Sequence, residues 1–212
     1  MHRRSLLISS LALAATAVTA KPSRAAVSAL GPAGPMGQAM RAWVANPQVI
    51  KQDCPQWCWA ASIAMIFAAY GRPVRQENIV QRTYGGLVCL PSGNPLTIPA
   101  NLSQTWIDDN GRTFRSSVVA AYDPMNNVRA ISNQFIVDEL ANDRPLLYCN
   151  RHHAMVLVAA DFFPSPMGPQ IVAGGVLDPW PGSPDFHALS QGELFDADRG
   201  GEMMFLGSVR IS

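Results

Sequence analysis

The run from Trp57 to Tyr70, WCWAASIAMIFAAY, constrains this chain more than any other stretch. Trp59, Ile63, Ile66, Phe67 and Tyr70 recur at helical spacing, and the faces between them carry Ala60, Ala61, Ala64, Ala68 and Ala69. A helix apolar almost all round cannot lie on a surface, so other elements must enclose it. Gly71 and Pro73 supply its stop, and Pro55 is tolerated only near its start. Cys58 therefore falls in or close to the first turn.

Two more helices are predicted: Arg75 to Tyr84, ending at Gly85-Gly86, and Ser132 to Asn142 with Ser132 as its cap. After the third helix the period changes. PLLYCN, HAMVLVAADF, IVAGGVLD and EMMFLGSVRI are short apolar runs bounded by Pro, Gly and polar residues, which read as mostly antiparallel strands. Helices followed by strands predict an α+β domain, a helical part packed on an antiparallel β part, with a cleft between them as the natural place for a site.

The ends set the compartment. MHRRSLLISSLALAATAVTA has two arginines, an apolar alanine-rich run and small residues before a cleavage point, so residues 1–20 read as a signal peptide. Arg3-Arg4 leaves the twin-arginine and the general secretory routes both open. No later segment reaches the roughly 20 apolar residues of a membrane span, and an exported protein that is periplasmic or secreted is expected. Residues 21–45 read as a flexible leader, dense in Pro, Gly, Ala and Ser from Lys21 to about Gln38, and 46–212 as one domain. Cleavage after Ala20 turns the net charge of +1 (16 minus 15) into −1 (14 minus 15), which argues against nucleic acid as a partner. A monomer is expected.

A thiol becomes a useful nucleophile when a helix N-terminus and a nearby imidazolium favour its ionised form. A lone cysteine in an alanine-rich helix is more often a small buried hydrophobe or half of a disulfide. Gln52, six residues upstream, and Trp59-Ala60 immediately downstream change the odds. The pattern Q-x5-C-W-A, with the block WCWAAS, resembles the papain-like cysteine peptidases, in particular the smaller bacterial C39-like or C70-type branch. The resemblance implies Cys58 as nucleophile and Gln52, with the Cys58 N–H, as oxyanion donors. Gln56 competes for the second role but lies too near Cys58 to match the family position.

The base would be His153, whose His-Ala-Met-Val start resembles the family's histidine strand; His152 should face solvent or stand behind it, and His187 reads as a loop residue. Asp178, followed two residues later by Trp180, matches the family's third member, which orients the imidazole, and Trp180 would shield that contact. Asp161 is the nearest rival. Trp57 and Trp59 read as core or interface residues. The resemblance further implies a disulfide from Cys54 to Cys89, leaving Cys149 as an unpaired, buried strand residue. No cofactor is implied, and Cys149, His152 and His153 make a poor metal site because paired ligand spacings are absent elsewhere.

The chain departs from the plant and lysosomal enzymes. Cys58 and His153 are 95 residues apart rather than roughly 130 to 150, and the C-G-[SA]-C-[WY] block is missing. The same residues would equally serve a cell-wall amidase or a transglutaminase-like enzyme, and a binding module on the same scaffold is the non-enzymatic alternative.

Overall fold

The computed structural model describes residues 26–35 and 37–212; the signal peptide read at 1–20 lies outside them. The described elements are, in chain order, β1 (Ala26–Ala29), β2 (Met40–Trp43), α1 (Cys58–Ala69), α2 (Gln76–Tyr84), α3 (Thr97–Asn101), β3 (Thr105–Ile107), β4 (Thr113–Asp123), β5 (Val128–Arg129), α4 (Asn133–Ala141), β6 (Leu146–Cys149), β7 (Ala154–Phe163), β8 (Gln170–Leu177), β9 (Phe186–Ala188), α5 (Gln191–Leu194) and β10 (Phe205–Ile211).

The enclosed helix is α1, in which every side chain from Trp59 to Phe67 is buried. β6 and β7 lie against it, α2 and α3 flank it, and Phe67 meets the rings of Trp106 and Phe114 at 5.6 and 5.2 Å. Gly71 adopts a left-handed φ of 68°, which ends the helix at little cost because glycine lacks a Cβ. The other predicted helices are α2 and α4, and Ser132 caps α4 by accepting a hydrogen bond from the Phe135 N–H.

The strands pair antiparallel in the order β1-β2-β7-β6-β10-β4-β3, with β5 on β4, β8 on β7 and β9 on β8. β7 is the centre. β8 pairs with it from Val156 to Phe163 on one edge, so β6, opposite 154–157, and β2, opposite 159–162, share the other edge end to end. Cys149 lines a cleft with Cys58 of α1, whereas Tyr148 lines a cavity with Asn133 and Ile136 of α4. Neighbouring strand residues face opposite ways, so α1 and α4 cover opposite faces of the sheet.

The structure corrects two expectations. The segment 26–45, read as leader, supplies β1 and β2. Ala42 is fully buried, and Arg41 makes a two-pronged ion pair with Asp161 of β7 at 2.5 and 2.7 Å. A four-residue strand after a glycine-rich stretch has too little period of its own to be seen; its place comes from pairing with β7. The simple order of helices then strands also fails, because β4, eleven residues long, precedes α4.

Candidate active site

Cys58 is the first residue of α1, follows Trp57 at the N-cap, and is a free, partly exposed thiol. Its backbone N–H belongs to the first turn, whose donors have no partner within the helix. No acidic side chain stands in that turn, so nothing there opposes a negative charge on sulfur. The thiol opens on a cleft of about 440 Å³ that His153 and Trp180 also line.

His153 stands one residue before β7, at the end of a tight turn from β6. Asn150 shapes the turn: its Oδ1 accepts from the backbone N–H groups of His152 and His153 at 2.9 and 2.7 Å, and its own N–H donates to the His153 carbonyl at 3.0 Å. Such an asparagine substitutes for a backbone partner and fixes the path of the chain. The His153 Nε2 lies 2.6 Å from Asp178 Oδ1, which leaves Nδ1 as the ring nitrogen for Cys58. Burial disfavours the charged ring, but hydrogen bonds to Cys58 and to Asp178 outweigh it, and the His153 pKa is raised above the ordinary histidine value.

Asp178 follows the last residue of β8 and is buried. Its Oδ1 accepts from the Trp180 N–H at 2.7 Å as well as facing His153. Burial opposes its ionisation, yet the hydrogen bonds from His153 and the Trp180 N–H prevail and hold its pKa below the usual carboxylate value. His187 corrects the sequence reading: it belongs to β9, and its Nε2 lies 3.3 Å from Asp178 Oδ2. Pairing of β8 with β9, Val176 opposite His187, brings it there. Asn150 and His187 are the site residues sequence reasoning missed. An asparagine between two apolar runs was the available signal for the first; the second had none.

Gln52 is buried and does not line the cleft. Its Nε2 donates to the Cys54 carbonyl at 2.9 Å, which engages one of the two amide hydrogens, and its Oε1 has no partner. Its backbone N–H donates to the Pro179 carbonyl at 2.8 Å, tying the segment before Cys58 to the loop after Asp178. Gln56 is exposed and lines the cleft. Cys54 and Cys89 form a disulfide, Cys149 is free and buried with its thiol pKa pushed up by burial, and His152 is exposed. The Trp57 and Trp59 indoles are buried and donate to the carbonyls of Val88 and Leu90 at 2.8 and 3.2 Å, holding the loop that carries Cys89. Asp161 is spent on Arg41, away from Cys58. Among the described residues no group of three or more His, Cys, Asp or Glu is arranged to hold a metal ion, and no helix is long and apolar enough to cross a membrane.

No family model and no curated protein matches the chain. Among solved structures it is similar to a double glycine motif protease from an AMS/PCAT transporter, determined in complex with the leader peptide. The two share 18% identity over 80% of this chain and 96% of that chain, with a TM-score of 0.41.

Proposed function

We propose that the chain is an exported, papain-like cysteine peptidase with Cys58 as nucleophile, His153 as acid and base, and Asp178 as the group that orients His153. One observation carries the reading: a thiol at a helix start opens on the same cleft as an imidazole whose Nε2 is held 2.6 Å from a buried carboxylate. The raised His153 pKa and the depressed Asp178 pKa both favour the charged pair that such chemistry starts from.

The Cys58 thiolate attacks a peptide carbonyl while His153 is protonated. The oxyanion is met by the Cys58 backbone N–H, and the second donor is assigned to Gln52, which stands outside the cleft lining with one Nε2 hydrogen not engaged on the Cys54 carbonyl. Collapse to the acyl-enzyme transfers the His153 proton to the leaving amine. His153 then takes a proton from water as it attacks the thioester, and collapse breaks the C–S bond, expelling the Cys58 thiolate beside the protonated His153 and restoring the starting pair while the acid product loses its proton to solvent. No step needs a cofactor. Residues 1–20 would direct export, and the Cys54–Cys89 disulfide suits an oxidising compartment.

The test is hydrolysis of casein and of a diverse peptide library, read by mass spectrometry. Cleavage that falls by orders of magnitude in Cys58→Ala and by about 10² to 10³-fold in Gln52→Ala is the expected result. Turnover of muropeptides without peptide cleavage would move the same chemistry to cell-wall amides. Wild-type protein that cleaves neither, or Cys58→Ala with unchanged turnover, would overturn the reading.

A further inference from the structure

Of the sixteen basic residues in the sequence, two are lysines, Lys21 and Lys51, so Lys51 is the single lysine among the described residues. Arginine does the rest of the cationic work, often as a planar fork on a carboxylate, as Arg41 does on Asp161. Lys51 meets a different set of acceptors. Its Nζ donates to the carbonyl oxygens of Asp178 at 3.1 Å, Trp180 at 3.2 Å and Ser183 at 3.1 Å, and lies 3.0 Å from the Asp185 carboxylate. Three carbonyls converging on one nitrogen suit an ammonium, which carries three donors on a compact centre. A guanidinium presents its donors in a rigid plane and cannot converge on the same point.

The other end of Lys51 is equally fixed. Gln76 of α2, a buried residue, donates from Nε2 to the Lys51 carbonyl at 3.0 Å and to Asp53 Oδ2 at 2.7 Å, and accepts from the Asp53 N–H at 3.2 Å. Thus the segment that leads into Cys58 is anchored to the helical part by its backbone, and reaches the loop after β8 with the Lys51 side chain.

We propose that Lys51 is a positioning residue whose ammonium gathers the carbonyls of residues 178, 180 and 183 and holds that loop, with the Asp178 carboxylate, in register with the segment entering α1. The effect on rate rests on the peptidase reading of Cys58, His153 and Asp178; the carbonyl cage itself does not. Lys51 is partly exposed, so its loss acts on the aim of Asp178 more than on global stability.

The test compares wild type with Lys51→Arg, which keeps the charge, and Lys51→Met, which keeps the length. The rate of Cys58 alkylation by iodoacetamide is followed from pH 5 to 10. Both variants should react at least tenfold more slowly at pH 6, with the alkaline limb moved to lower pH because His153 loses part of its support from Asp178; a merely structural residue would leave that limb in place. Lys51→Arg with the wild-type rate and profile overturns the proposal. A second measurement needs no variant: in ¹⁵N-lysine-labelled protein the Lys51 ammonium should exchange its hydrogens slowly and show couplings to carbonyl carbons across its hydrogen bonds. Exchange as fast as that of free lysine in the same buffer overturns the cage. Slow exchange in wild-type protein whose Cys58 is inert supports the cage and counts against the peptidase reading.

Discussion

At the scale of single residues, Asp178 is the hinge of the account, because its Oδ1 serves His153 and the Trp180 N–H while its Oδ2 faces His187. The folded-state pKa of His153 is raised, so its contribution to stability is fully present below the ordinary histidine value of about 6.5 and is lost as pH rises through the folded value. Asp178→Asn removes one of the two hydrogen-bond partners that raise it. The alkaline limb of activity, or of Cys58 alkylation, should move to lower pH in that variant, and a pH–rate profile checks it; an unmoved limb would separate Asp178 from the histidine. The placement of Cys58 at a helix start, His153 just before a strand and Asp178 just after one was legible in the sequence, because each sits in a local pattern. His187 was not, since its contact with Asp178 exists only once β9 pairs with β8. Asn150 was missed for a related reason. Its side chain acts on the backbone of His152 and His153 and on Glu193, 43 positions away, and no periodicity encodes either contact.

At the scale of elements, enclosure of α1 decides where Cys58 can stand. Phe67, fully buried against Trp106 and Phe114, should cost about 3 to 5 kcal/mol on change to alanine, read as a shift of the urea midpoint. On the opposite face, α4 is tied to β10 by Glu139, a buried carboxylate that accepts from Arg144, Arg210 and Ser208. Burial opposes its charge, but those three donors prevail and bring its pKa from an ordinary 4.5 down to about 2. A depressed carboxyl pKa adds stability above the ordinary value that disappears as pH falls from about 4.5 toward about 2. Glu139→Gln should therefore cost about 3 kcal/mol at pH 7 and much less at pH 2, measured by thermal unfolding at both. The long apolar runs were readable as elements, but β4 was not. Its buried Ser116 satisfies its hydroxyl on the Leu102 carbonyl at 2.7 Å, so a polar residue occupies a core position and blurs the alternation.

At the scale of the whole molecule, two long-range ties join segments that the sequence separates. The Cys54–Cys89 disulfide closes a loop across 35 positions, for which the chain-entropy estimate is about 4 kcal/mol, and it fixes the carbonyl on which Gln52 rests. Reduction should lower the unfolding midpoint and slow turnover together. β2 is the second tie. A chain begun at residue 46, where the sequence reading placed the domain, loses the strand that buries Ala42 and should unfold at lower urea than one begun at residue 26. The central claim is that Cys58 is a nucleophile activated by His153, and limiting iodoacetamide at pH 6 tests it most directly when each cysteine is quantified by peptide mass spectrometry. The account predicts fast labelling of Cys58, no labelling of the buried Cys149, and a fall of about a hundredfold or more at Cys58 in His153→Ala. A Cys58 that is inert, or that labels equally fast without His153, would contradict it.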